Sequence, residues 1–220
     1  MAGTPSKTAG EEVFESYLDS VSLPFEFEKE HEGKRKRPDY TIVWKGSTIV
    51  LDVKDFDPPT HIATGPHSFD PYPRIREKID QGRDKFVEFK EYPCGLVLYN
   101  RGDPFVQLTE EYIMLGAMYG DSGFTFPFNL DTGMGDTSQM KPAFLGRGKM
   151  IRPRRPTPQN TTISALITLE RIRPHFLTFL QMSHEFPGKD YWQLEEQAKR
   201  VIPKYDPEGE VTRVIVWHNG

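Results

Sequence analysis

A Lys45-Gly46 dipeptide separates two alternating, apolar-rich runs, Asp39–Trp44 and Ser47–Lys54, and this leaves the segment little choice but a tight β-hairpin. A two-residue loop puts Trp44 opposite Ser47, and stepping outward along both strands puts Asp39 opposite Asp52. A four-residue loop keeps that pairing, whereas an odd-numbered loop breaks it. Directly opposed residues have Cβ atoms about 4.5–5.5 Å apart, so two carboxylates there repel unless a positive charge lies between them. Relief of that repulsion predicts that removing Asp52 raises stability slightly in the absence of metal. The two-residue period places Asp52 and Lys54 on one face of their strand and Ile49, Leu51 and Val53 on the other, where they can join a core. Two acids and an amine therefore project together from an otherwise apolar sheet. Carboxylates that share a cation with water and a substrate phosphate describe a Mg²⁺ site.

The flanking sequence predicts the elements around this hairpin. Val13, Phe14, Tyr17, Leu18 and Val21 form one stripe of a helix over Glu11–Val21, with Thr8 at the N-cap and Glu11 completing a capping box. Pro24 ends that helix, and Phe25–Glu28 starts a strand. Residues 74–91 read as a helix with Ile75, Ile79, Gly82 and Phe86 inward, Gly82 allowing close approach to a sheet. Cys94–Asn100 is a continuous apolar strand of the kind buried on both faces. Leu108–Tyr119 reads as a short helix, Ile163–Leu169 and Val211–Trp217 as strands, and Tyr191–Val201 as a helix. This order predicts an α/β sandwich with a mixed sheet. Residues 1–7 read as a disordered leader and 8–220 as a single domain, interrupted at about 120–160 by a long Gly/Pro-rich insertion, the kind of loop that is functional or disordered.

A chain of 220 residues suits one domain, and no run approaches the ~20 apolar residues of a membrane span. No apolar stretch follows Met1–Thr8, which argues against a secretory signal and for a reducing, cytoplasmic setting. The single cysteine, Cys94, excludes an internal disulfide framework and reads as a small core residue. Twenty-eight basic and thirty-two acidic residues leave a net charge of −4, so any nucleic-acid surface must be local. Two basic clusters qualify. Lys34, Arg35, Lys36 and Arg37 lead directly into the strand of Asp39. Arg147, Lys149, Arg152, Arg154 and Arg155 lie within the insertion.

In phosphodiester hydrolysis, Asp39 and Asp52 would hold a metal that polarises the phosphate, and Lys54 would orient the attacking water or offset developing charge. A third acid is expected from the first helix. Glu11 flanks the apolar stripe at about 90° and is the first choice, with Glu15 second.

Glu11 on a first helix, Pro38-Asp39, a hairpin and Asp52-Val53-Lys54 together resemble the PD-(D/E)xK nuclease superfamily, the restriction-endonuclease-like fold. Glu11-x-x-Phe14-x-x-Tyr17-Leu18, Phe25–Glu28 and Arg37–Tyr40 are most similar to its transposon-end and resolvase-type branches. The resemblance covers Glu11 to Asn100. It implies a three-layer sandwich with a central mixed sheet flanked by helices. It implies Mg²⁺-dependent cleavage, with Mn²⁺ able to substitute, and metal contacts from Glu11, Asp39, Asp52 and the Val53 carbonyl. It further implies a polar residue from the helix after Asp-x-Lys, either Gln81 or Lys85. DNA is the implied substrate rather than RNA, and cutting both strands would suit a homodimer. A catalytically silent nucleic-acid-binding protein on the same fold, a nuclease subunit that needs a partner, and a phosphatase on small substrates are the alternatives.

Overall fold

The computed structural model describes residues 7–60, 70–103, 106–145, 148–150, 158–172 and 211–219, with single positions at 188, 190, 193 and 196. The expected first helix is α1, Ala9–Ser20. The Thr8 hydroxyl accepts from the Glu11 amide while the Glu11 carboxylate accepts from the Thr8 amide, so both halves of the capping box are formed. Phe14 and Leu18 are the deepest members of its stripe, and Val21, at the C-cap, is exposed. Strand β1 (Phe25–Phe27) pairs antiparallel with β2 (Tyr40–Trp44), and β2 pairs antiparallel with β3 (Ser47–Phe56). Lys45 and Gly46 both have positive φ, 47° and 81°, as a tight hairpin turn of matching twist requires. Trp44 faces Ser47 and Tyr40 faces Leu51, which is the register expected from the two-residue loop.

Helix α2 (Pro73–Phe86) and a 3-10 turn (Val87–Phe89) lead into β4 (Cys94–Asn100), which lies parallel to β3. Pro73 at the first helical position costs no hydrogen bond there. Gly82 lets α2 settle on the sheet, since a Cβ there would lie 2.9 Å from a Leu96 methyl. After α3 (Glu111–Tyr119), residues 121–145 of the insertion form paired strands instead of an irregular loop. Strands β5 (Asp121–Thr125) and β8 (Lys141–Leu145) pair antiparallel, and β6 (Phe128–Asn129) pairs with β7 (Met134–Gly135) between them. Gly123 lies within β5 and Pro127 separates β5 from β6, both residues disfavoured in strands, which weakens the strand signal of this segment. The side chains of Phe124, Phe126 and Phe128, with Leu130, Met134, Met140 and Phe144, are exposed.

Strand β9 (Ala165–Ile172) lies parallel to β4, and β10 (Val211–His218) follows it, completing a six-stranded mixed sheet in the order β1-β2-β3-β4-β9-β10. The architecture is α/β. Among the described residues no helix is long and apolar enough to cross a membrane. Residues 1–169 with 215–220 form one compact unit and residues 170–214 a second. Of the helix expected over Tyr191–Val201, only Gln193 and Glu196 are described, and both are helical. The leader lies outside the described residues except for Lys7, whose ammonium pairs with Glu15 at 2.6 Å.

Both faces of β3 are packed. Leu51 lies on the α1 side, where the Phe14 ring meets Tyr40 edge-on at 5.2 Å. Val50 and Phe56 lie on the other side in a core with Ile75, Ile79, Phe86, Leu96, Leu98 and Met114. By the two-residue period, Asp52 and Lys54 share the face of Val50 and Phe56. This face is roofed by α2, and Asp52 is fully buried.

Candidate metal centre

Asp39 immediately precedes β2, one residue beyond the Tyr40–Leu51 pair, and its carboxylate and that of Asp52 converge on one ammonium group. That group belongs to Lys85 on α2. Its Nζ donates to Asp39 Oδ1 at 2.6 Å and, more closely, to Asp52 Oδ1. The other oxygen of Asp39 accepts the Val53 amide at 2.7 Å, which locks the carboxylate against the strand that carries Asp52. Lys54 Nζ lies 2.6 Å from Asp52 Oδ2 as an ion pair, yet that oxygen is buried and accepts no aligned hydrogen bond. Asp39, Asp52, Lys54 and Lys85 thus form a compact quartet with balanced charge at neutral pH.

The two acids divide their titration. Burial, then the negative charge of Asp52 and a hydrogen bond with it, push the Asp39 carboxyl up to about 6, against the pull of Lys85. Burial also works to raise Asp52, but the ammonium charges of Lys54 and Lys85 outweigh it and hold this carboxyl below its ordinary value. Burial lowers Lys85, and Asp52 and Asp39 more than compensate, leaving it raised. The strain of the opposed carboxylates therefore resides in Asp39, while Asp52 is the anchor of two cations. Removing Asp52 would relieve the repulsion felt by Asp39 but strand Lys54 and Lys85, so the slight gain in stability expected from the hairpin alone gives way to an expected loss. Because Asp39 holds its proton more tightly folded than unfolded, its ionised form costs stability. The cost is absent below about pH 4 and complete above about pH 6, where it reaches at most about 3 kcal/mol. In metal-free buffer Asp39→Asn should raise the melting temperature clearly at pH 8 and much less at pH 4.5. An equal shift at both values would show that ionised Asp39 is not the strained member.

Glu11 is not brought to the pair. Its carboxylate is occupied by the Thr8 amide at 2.7 Å, so of the two roles the sequence offers this residue, capping and metal ligation, the structure has the cap. Glu15 accepts from the Tyr40 hydroxyl at 3.1 Å on the α1 side of the sheet, away from the α2 side that holds Asp39 and Asp52. What Val53 presents to the site is its amide. Gln81 is bonded to Glu77 at 3.1 Å, which leaves Lys85 as the helix residue in the site. Its signal in the sequence is position: three residues after Gly82 and adjacent to Phe86, it flanks the buried stripe of α2.

The first basic cluster is held mainly against the end of α2 and the residues that follow it. The amides of Arg35 and Lys36 donate to Glu88 Oε2 at 2.8 and 3.3 Å, Lys36 Nζ reaches the Asp84 carbonyl, Lys34 pairs with Glu91, and Arg37 pairs with Glu30. Arg35 remains 94% exposed. Such exposed pairs are worth little and can exchange for phosphate. In the second cluster, Lys149 pairs with Asp80. Arg147, Arg152, Arg154 and Arg155 lie outside the described residues.

Among the described residues no group of three or more His, Cys, Asp or Glu is placed to hold a metal. The donors that do converge, two carboxylates with one buried oxygen lacking a hydrogen bond, suit Mg²⁺, which is held by one or two carboxylates while water and phosphate fill the remaining positions. No family model matches the chain, and no curated protein or solved structure matches it.

Proposed function

We propose that this chain is a Mg²⁺-dependent nuclease of the restriction-endonuclease-like type, acting on DNA in the cytoplasm. One observation carries the reading: Asp39 and Asp52 face each other across a hairpin on a mixed sheet, with the lysine of Asp-x-Lys 2.6 Å from Asp52. A divalent metal held by the two carboxylates would stabilise charge on the phosphoryl oxygens as a water attacks phosphorus and the P–O ester bond breaks. The Val53 amide holds Asp39 in position to bind. Lys54 lies at the mouth of the pair, partly exposed, where its ammonium can meet the non-bridging oxygens and offset the negative charge they gain. Arg35 and its neighbours supply a backbone grip beside α2 that carries no sequence information.

A second reading has its own observation. Lys85 fills the space between the carboxylates, as it would in a nucleic-acid-binding relative that has given up cleavage. Incubating plasmid, linear duplex, single-stranded DNA and an RNA with Mg²⁺, with Mn²⁺ and with EDTA separates the two. The nuclease yields metal-dependent products from one or more of these substrates and none with EDTA. Salt-sensitive binding without cleavage of any of them would favour the silent relative.

A further inference from the structure

Resting on the metal reading above, we infer that Lys85 is the resident counter-cation of the carboxylate pair and that a divalent metal enters only by displacing its ammonium group. Both hydrogen bonds of Lys85 Nζ go to the carboxylates that would ligate the metal, one to Asp39 Oδ1 and one to Asp52 Oδ1. Ammonium and metal compete for the same oxygens.

Charge makes the competition necessary. Two carboxylates and two ammonium groups are neutral together, and a divalent ion added to the intact quartet would leave two uncompensated positive charges in a half-buried site. Departure of Lys85 reduces that excess to one, which a single phosphodiester neutralises. The side chain is built to leave. Its backbone is fixed, because Phe86 beside it is fully buried and Gly82 one turn earlier is pressed on Leu96. The ammonium itself ends a flexible four-carbon stem that retains 20% exposure. On either side of Lys85 in the chain, Asp84 on α2 and Glu88 in the 3-10 turn that follows hold the Arg35–Lys36 segment, so an incoming phosphate backbone would arrive next to the displaced amine.

The test is Mn²⁺ titration by calorimetry into the full chain, as wild type, Lys85→Met, Lys85→Gln and Lys85→Arg, alongside melting in EDTA. The two neutral variants should bind Mn²⁺ about tenfold more tightly or better. In EDTA they should melt lower, since the carboxylates lose their shared cation. Lys85→Arg keeps the charge and should stay near the wild-type affinity. Lys85→Gln retains hydrogen-bonding capacity and serves if Lys85→Met does not fold. Wild-type binding that is equalled or weakened in the neutral variants would overturn the competition and leave the metal reading standing. Absence of Mn²⁺ binding in every form would overturn the metal reading, and this inference with it.

Discussion

Replacing Asp52 by Ala should reduce metal-dependent cleavage by about a thousandfold or more, and in metal-free buffer it should lower the melting temperature. The first effect follows from the loss of a proposed metal ligand that no other acid among the described residues is placed to replace, since Glu11 caps its own helix and Glu15 serves Tyr40. The second follows from the quartet. Asp52 is fully buried and pairs with Lys54 and Lys85, so the variant leaves two cations at the sheet with Asp39 alone to answer them. Removing one member of a buried charge cluster costs about 3 kcal/mol, allowing for the partial exposure of both lysines. For a chain of this size that corresponds to about 6–12 °C. DNA binding at low salt should survive, because the backbone grip lies elsewhere. An unchanged melting temperature would show that solvent satisfies the lysines and that the quartet is not a structural unit. Retained cleavage would remove Asp52 from the reaction.

Phe86→Ala should be the most damaging change in the packing around the site, costing about 3–5 kcal/mol. Phe86 is fully buried in the cluster of Val50, Phe56, Ile79, Leu96 and Leu98, where its ring fills the space between α2 and the sheet. Lys85 precedes it in the chain, so a loosened C-terminal turn of α2 also frees the ammonium from the carboxylates. The variant should therefore melt at least about 6 °C lower, and Mn²⁺ binding of its folded fraction should be tighter than in wild type if Lys85 competes with the metal. Val87→Ala, at an exposed neighbour, should change stability by no more than about 0.5 kcal/mol. Comparable losses from the two substitutions would mean that α2 is not anchored through Phe86.

Much of the frame was legible because it is local. The Lys45-Gly46 turn set the hairpin register, and with it the meeting of Asp39 and Asp52, through backbone geometry over sixteen consecutive residues. Apolar periodicity located α1 and α2, and an unbroken apolar run located β4, for the same reason: each signal lies within a few turns or pleats. Residues 120–160 were less legible. Strands β5 and β8 are short and paired across fifteen or more intervening residues, and β6 and β7 have only two residues each, so no short window carries a clear strand signal.

What the sequence determined by itself was the pair of opposed carboxylates and the lysine two residues further on, since strand period and turn length leave those positions no freedom. What only the tertiary structure decided was the company they keep. Placing α2 over the Asp52 face depends on Gly82 docking on Leu96 and on the buried rings of Phe56 and Phe86, contacts between segments far apart in the chain. That docking buries Asp52, raises Asp39 and delivers Lys85 between them. It also leaves α1 on the opposite face, where the Glu11 carboxylate finds the Thr8 amide instead of a metal. Charges interact by distance in space, and distance in space between distant segments is set by packing.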